Sequence, residues 1–488
     1  VPFIGGSYGP KTDTGSITAV QAALAAFKVK RPVFLLYRRD DSFQIMPKRV
    51  DAYVKYKIGA SEDGLLKAME VKLIYNSGAY AVRSSTLIYR PAIHATGPYY
   101  VPNVKVDAYL VYTNTVPRSA FRGYGNPEIQ FALEMTLNML ADKLGMDPID
   151  LRIKNALQPG QSLLRGEKYE DSICIRDVLI KLKDLSGWNI KRKSYGLNNR
   201  KGEKARGIGV ACGWHGILPD PSAGYITIRR DGSIDVYTGI VELGQGTSTG
   251  ITQIVSEIFG IDINFINIHM ASAEAPDTGA TYGSRGSNLG SMGIFMAALE
   301  LKRRLSEFVS EKLGCKDVVF ENNKVVCKDN TNRSVLWHDL IKEAYLNGIN
   351  LSATGYFSIP SAGSYEKGGL IYPTYSSMCI IAEVEVDLNT GNVTVLKIWP
   401  GVDAGKIINP ALVTQQVNGG IIMGIGVTLT EELVFDEKGR ILNPTFMDYL
   451  VPTSLDIMNT EIEQPIFIEC PSKYGPFGAK GIGEVSLI

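Results

Sequence analysis

The chain has 488 residues with 51 basic against 50 acidic side chains, a net charge of +1, so nothing global draws it to nucleic acid or a membrane surface. Hydrophobic residues at 45% and charged residues at 21% are globular values that exclude wholesale disorder, and at about 150 residues per domain the length implies roughly three units. No apolar run reaches the ~18 residues of a membrane span; the stretch Ile421 to Leu429 is short and broken by glycine.

The 50 glycines are clustered, and clusters mark places where the backbone turns tightly or approaches something closely. The first cluster is Gly5-Gly6-Ser7-Tyr8-Gly9-Pro10-Lys11. Glu62-Asp63-Gly64 reads as a turn, and Ala120-Phe121-Arg122-Gly123-Tyr124-Gly125 is the second cluster. Asn126-Pro127 then caps a helix whose Ile129, Leu133, Leu137, Leu140 and Leu144 keep helical spacing up to Gly145. Asp147-Pro148 starts another. The most basic stretch, Lys191 to Arg206, has Glu203 as its only acid and reads as a solvated linker or a docking surface. We place the main boundary there, with units at 1–190 and 207–488.

In the second unit, Ile226 and Ile228, then Asp231-Gly232, then Ile234 and Val236 spell a hairpin. The third cluster, Glu242-Leu243-Gly244-Gln245-Gly246-Thr247-Ser248, opens a helix with its apolar stripe at Ile251, Ile254, Val255, Ile258 and Phe259. The fourth, Thr281-Tyr282-Gly283-Ser284-Arg285-Gly286-Ser287, opens one at Met292. A glycine- and hydroxyl-rich loop feeding a helix N-terminus presents free N–H groups and partial positive charge, an anion site suited to phosphate. Val384 to Val395 folds over Asn389-Thr390-Gly391 as a second hairpin, and Glu437-Lys438-Gly439 is a further turn. Gly419 to Gly426 lacks both the Lys-Ser/Thr of a Walker loop and a strand-to-helix context, so close helix packing explains those glycines better. Hairpins mixed with helices give an α+β fold class.

The fifth cluster is Gly478-Ala479-Lys480-Gly481-Ile482-Gly483-Glu484. In a tight apolar pocket Glu484 would have a raised pKa and could act as a general base; in an exposed loop it would pair with Lys480. Cys174, Cys212, Cys315, Cys327, Cys379 and Cys470 contain no C-x-x-C, which leaves no spaced set for zinc or an iron–sulfur cluster and reads as a cytoplasmic chain with reduced thiols. His94, His215, His269 and His338 share no metal spacing. The opening Val1-Pro2-Phe3 and the stop at Ile488, just after the fifth cluster, read as the ends of a piece of a longer polypeptide.

In this order the clusters, with A-E-V-E-V-D-x-x-T-G and N-P-A-L-V-T-Q-Q-V-N-G-G between the last two, resemble the molybdenum-binding subunit of the xanthine oxidase and aldehyde oxidase family, from about residue 4 to the end. The resemblance implies two molybdopterin-binding subdomains and a molybdopterin cofactor, in prokaryotes often the cytosine dinucleotide, whose dithiolene holds molybdenum without a protein ligand. It implies hydroxylation of an electron-poor carbon, a ring C–H beside nitrogen or an aldehyde, with oxygen from water and a glutamate as base. Glu484 matches that glutamate and Arg122 the arginine beside the active site. Gln245 and Gln416 match cofactor-contacting glutamines, and Ser284, Arg285, Gly286 and Ser287 a loop around the pterin and its phosphate. Gly6, Tyr8, Gly9, Gly244, Gly246 and Gly481 fall in cofactor-cradling motifs. Tyr124 and Trp214 match two aromatics that sandwich substrate, and Arg39 a substrate-orienting arginine.

Departures qualify the substrate. Thr12 follows Lys11 where purine-oxidising members carry glutamate, Tyr8 and Tyr124 stand where phenylalanine is usual, and the second cluster lacks the cysteine of carbon monoxide dehydrogenases. The added hydroxyls suggest a more polar substrate, or simply bond cofactor or backbone. Nicotinate- or purine-like rings therefore compete with aldehydes, and a non-catalytic cofactor-binding or assembly protein is the reading from another class. The family's N-terminal region and C-terminal helix do not appear in the sequence. Its [2Fe–2S] clusters and FAD must come from partner chains or regions, which implies a hetero-oligomer.

Overall fold

The computed structural model describes residues 3–197, 200–359, 363–364 and 369–487; Val1, Pro2, Ile488 and the Asn198-Asn199 pair of the basic stretch lie outside them. Its strands are β1 (Ala52–Ala60), β2 (Leu66–Gly78), β3 (Val104–Tyr112), β4 (Lys204–Gly216), β5 (Ser222–Ile228), β6 (Ile234–Tyr237) and β7 (Ile266–His269). They continue with β8 (Val318–Glu321), β9 (Lys324–Cys327), β10 (Ser334–Leu336), β11 (Ser352–Phe357), β12 (Tyr375–Asp387), β13 (Val393–Asp403), β14 (Glu461–Ile462) and β15 (Ile466–Phe467). Among the described residues four sheets result, in the orders β1-β2-β3, β10-β9-β8, β11-β5-β6-β7 and β14-β13-β12-β4, with β15 also on β13. The expected hairpins are present as antiparallel β1–β2, β5–β6 and β12–β13. Parallel β2–β3 and β6–β7 pairs make the sheets mixed, as an α+β chain requires.

Helix Asn126–Leu144 ends at Gly145, whose φ of 63° is left-handed. Its N-cap is Gly125 at φ 80° rather than Asn126; the Asn126 amide instead donates to the Trp214 carbonyl. Asp147 caps helix Pro148–Asn155 as expected, accepting from Ile149 and Asp150 N–H at 2.9 and 3.2 Å. The stripe Ile129, Leu133 and Leu137 packs with Val71, Leu73 and Tyr75 of β2, each such burial being worth about 1.5–3 kcal/mol. A second core joins Ile251, Ile254, Val255 and Ile258 of helix Thr247–Phe259 to Ile226, Val236 and Leu301. A third holds Val417 and Ile421 of helix Pro410–Leu429 against Met378, Val402 and Val485.

The basic stretch does not hang free as a linker. It begins inside helix Trp188–Ser194, where Trp188 is fully buried. Lys191 pairs with Glu383 at 2.7 Å and lies over Trp399, and Lys204 and Arg206 face Glu385 and Glu383 across the sheet. Beyond it, Val210 and Cys212 of β4 join the first core, so packing runs across the expected boundary. Against the expectation of reduced thiols, Cys174 is disulfide-bonded to Cys470 and Cys315 to Cys327; Cys212 and Cys379 are free and buried, 3.4 Å apart.

Helix Pro410–Leu429 runs unbroken through the glycine-rich stretch. By length and composition alone it is apolar enough to cross a membrane, although no run looked long enough in the sequence. Two of its glycines are packing glycines: a Cβ at Gly420 would strike the Ser486 backbone, and one at Gly426 would strike Pro452 and Glu431. Gly419 and Gly424 face open space.

Candidate active site

All five glycine clusters meet at one cavity of about 590 Å³, inside the roughly 300–1,000 Å³ of small-molecule sites. Gly6 N–H donates to Leu243 O at 3.0 Å and joins the first cluster to the third. Asp13, just after the first cluster, accepts from Ser119 and Arg83 beside the second. At Gly481 a Cβ would collide with the Ser284 carbonyl, so only glycine lets the fifth cluster lie on the fourth. Gly6, Tyr8, Gly9, Arg122 and Tyr124 line one part of the wall. Gly244, Gln245, Gly246 and Ser284 to Ser287 line another, and Gln416, Gly481 and Glu484 complete it.

Glu484 does not pair with Lys480. Lys480 is buried against Asp403 at 2.8 Å, while Glu484 Oε2 accepts from Ser284 Oγ at 2.9 Å and lies 2.8 Å from His215 Nε2. Burial alone would push the Glu484 pKa up, as the sequence suggested. His215, Arg90 and the Ser284 hydroxyl outweigh burial and hold it well below the usual carboxylate range. The site therefore offers an ionised carboxylate at neutral pH. Burial and Arg90 push the His215 pKa down, Glu484 pulls it the other way, and the net shift is downward.

Arg122 is a cross-link. Its guanidinium donates to Gly483 O and Ser486 Oγ at 2.6 Å each, and to both Gln416 O and Gln416 Oε1 at 3.2 Å. It thus ties the second cluster to helix Pro410–Leu429 and to the fifth cluster. The Gln245 side chain spans its own loop, donating to Val241 O and accepting from Leu243 N.

The third cluster is not the open anion site expected from its glycines. Glu242 already accepts the N–H groups of Gly244, Gly246 and Ser248 at 2.9 Å each. Burial works against that carboxylate, but the three N–H bonds hold its pKa below the ordinary value. The fourth cluster ends before helix Met292–Leu313, with the short turn Leu289–Ser291 between them. Arg285 is 1% exposed and spends its guanidinium on the carbonyls of Thr278, Ala280, Asp220 and Pro221; it shapes the loop.

Two expected residues lie elsewhere. Trp214 is 2% exposed and stacks on Tyr375, with ring centroids 4.1 Å apart. Arg39 is exposed over the Phe446 ring. Tyr124 does line the cavity, with its hydroxyl held by Arg83 O at 2.9 Å and Thr86 Oγ1 at 2.7 Å. His215, Arg90 and Arg83 were missed. For His215 a signal existed: successive residues of a strand point to opposite faces, so when Trp214 enters the core its neighbour faces the other way. Among the described residues the side-chain groups able to hold a metal are Cys174, Asp403 and Cys470, and Cys315, Cys327 and Asp329. Of these six, none lines the cavity.

The chain matches the Molybdopterin cofactor-binding domain family over residues 181–458 and again, with a second domain of that description, over residues 1–156. It belongs to that family. Xanthine dehydrogenase of Drosophila pseudoobscura pseudoobscura is 29% identical over 497 residues, covering 99% of this chain and 35% of the fly protein. A Bacillus subtilis (strain 168) protein named as a probable part of a xanthine dehydrogenase is 31% identical, covering 99% of this chain and 64% of its own length. Among solved structures, quinoline 2-oxidoreductase from Pseudomonas putida 86 superposes with a TM-score of 0.88 at 25% identity, over all of this chain and 64% of that one. The aldehyde oxidoreductase from Desulfovibrio desulfuricans gives 0.83 at 27%, over 99% of this chain and 50% of that one. The chain thus spans about a third of the fly relative and under two thirds of the bacterial one. As a molybdopterin-binding chain it has a fitting cradle: Gly244, at φ 103°, has no atom within 4 Å of where a Cβ would stand, so a flat ring can approach bare backbone.

Proposed function

We propose that this chain is the catalytic portion of a molybdenum hydroxylase that oxidises an electron-poor C–H, an N-heteroaromatic ring in preference to an aldehyde. The observation that carries this is Glu484, an ionised carboxylate in the wall of a cavity built from five ordered glycine clusters of a molybdopterin-binding chain. The cofactor, in the cytosine dinucleotide form on this reading, supplies the two-electron oxidation when bound, with water as the source of oxygen.

The chain's own residues do the rest. Bare backbone at Gly6, Gly9, Gly244 and Gly481 cradles the pterin, with Gln245, Gln416 and Ser284 to Ser287 beside it. Glu484 takes up a proton as general base. Arg122 holds the base's loop in register through Gly483 O and Ser486 Oγ. The ring preference rests on a polar, aromatic wall of Tyr124, Tyr282, Arg83 and Thr86, a setting for a flat ring with hydrogen-bonding edges. Electrons leave through a [2Fe–2S] subunit and a FAD subunit in a hetero-oligomer.

Glu484→Gln tests the reading. A positioned general base contributes about 10²–10⁴-fold. Molybdenum content should survive the substitution while turnover of a heteroaromatic substrate falls at least about a hundredfold. Turnover within a few-fold of wild type in a fully loaded variant would refute the assignment. Cofactor binding without turnover in the wild-type complex would favour a cofactor carrier.

A further inference from the structure

Among the described residues that line the cavity, Arg83, Arg90, Arg122, Arg285, Lys406 and Lys480 stand against a single carboxylate, Glu484. Most of these cations are already spent. Lys480 and Lys406 pair with Asp403 and Glu469 at 2.8 Å each. Arg122 and Arg285 donate to oxygens of the wall itself, and Arg90 donates to His215 Nε2 and Gly216 O. Arg83 differs. Its Nε donates to Asp13 Oδ1 at 2.7 Å, and Ser119 Oγ fixes the other oxygen of Asp13 at 3.1 Å. The Asp13 side chain is 6% exposed and that of Arg83 44%, so the brace is buried and the cation is open. Among the described residues nothing accepts from Arg83 Nη1 or Nη2.

The backbone that carries this guanidinium is held too. Arg83 N–H donates to Ser119 Oγ at 3.1 Å and its carbonyl accepts the Tyr124 hydroxyl at 2.9 Å. The guanidinium lies 5.8 Å from the centre of the Tyr282 ring. Two residues further on, Ser284 Oγ donates to Glu484. An arginine braced along one edge, with two N–H ends open, matches a planar carboxylate bidentately. The ionised Glu484 repels an anion that enters the same cavity, so an anionic ring needs a donor that holds its acid group elsewhere on the wall. Asp13 cancels the charge of Arg83 at a distance, which leaves the directed N–H groups as the part that selects.

We propose that Arg83 is a specificity-determining residue and that the substrate is a flat N-heteroaromatic ring bearing a carboxylate, held by the open Nη1–Nη2 edge while the reacting C–H faces Glu484. This rests on the reading of the cavity as the hydroxylation site.

The test uses the complete molybdenum-loaded complex and the three pyridine monocarboxylates, each paired with its uncharged carboxamide. Binding is measured by calorimetry in the dithionite-reduced complex, where the ring is not oxidised. At least one carboxylate should bind about tenfold or more tighter than its amide, as hydrogen bonds to a charged group imply. Arg83→Gln can still donate to Asp13 and should erase that preference, with amide binding changed less than about threefold. Arg83→Gln combined with Asp13→Asn removes the fork without altering net charge and should erase the preference equally. Molybdenum and pterin content should match wild type in both. No preference in wild type, or a preference that survives in the double variant, overturns the proposal. Loss of cofactor from Arg83→Gln assigns the guanidinium to the cofactor phosphate and overturns it as well. If binding behaves as expected and Glu484→Gln still turns over the preferred acid like wild type, the fork stands and the reading of Glu484 as base falls.

Discussion

A single strand position separates a core residue from a site residue at 214 and 215. Trp214 was expected at the substrate, yet it sits among Tyr169 and Tyr375 with its carbonyl bonded to Asn126. Trp214→Ala should therefore cost about 3–5 kcal/mol of stability, as large aromatic truncations in cores do. It should lower the specificity constants for a ring and for a short aldehyde together. Thermal unfolding with paired kinetics checks this; a selective loss on the ring would return Trp214 to the pocket. The glutamate, the arginine and the glycines of the site were legible because each lies in a short contiguous pattern. The His215–Glu484 and Lys480–Asp403 pairs were not, because each joins residues far apart in the chain, and local spacing carries no information about such partners. Lys480 follows the same logic as Trp214: its nearest acid in sequence is Glu484, but the buried Asp403 is the one it neutralises.

Elements were legible wherever a local rule fixes them. Asp-Gly fixed the β5–β6 turn and an apolar stripe fixed helix Thr247–Phe259. What local rules missed was competition for the same backbone groups. The glycine-rich N-terminus of that helix reads as an anion site, but Glu242, two residues upstream of Gly244, reaches its N–H groups first. This predicts a pH dependence. Hydrogen bonds to the ionised form depress the folded pKa of Glu242, so its contribution is complete above the unfolded carboxylate value near ~4.3. It is lost as pH falls through the lower folded value. Amide exchange at Gly244, Gly246 and Ser248 should accelerate in that acid window. In Glu242→Gln it should be faster already at neutral pH, with a stability loss of about 1 kcal/mol. Equal protection in wild type and variant would mean that the loop holds its shape without the carboxylate.

The whole molecule carries the site proposed for two-electron chemistry, and its six cysteines are paired or buried away from that site. Four are paired in disulfides and the other two are buried face to face, so none remains to carry an exposed iron–sulfur cluster. A hydroxylation of the proposed kind leaves two electrons at the cofactor on each turnover, and they must depart before the next substrate reacts. Clusters and flavins are the carriers that accept them singly or in pairs. The chain covers 35% of the fly xanthine dehydrogenase and 64% of the Bacillus subtilis protein, so these relatives contain substantial protein beyond the part matched here. We therefore expect the active complex, purified under mild conditions from its native source, to carry iron and flavin in fixed proportion to molybdenum. Its cluster and flavin absorption should bleach on addition of substrate and return with an electron acceptor. Bleaching should be absent in the Glu484→Gln complex at equal iron content, since the carriers are intact and only their electron supply is cut. A homogeneous preparation that turns over a natural acceptor with no iron in it would show that electrons leave the site directly, and the proposed partnership would fall.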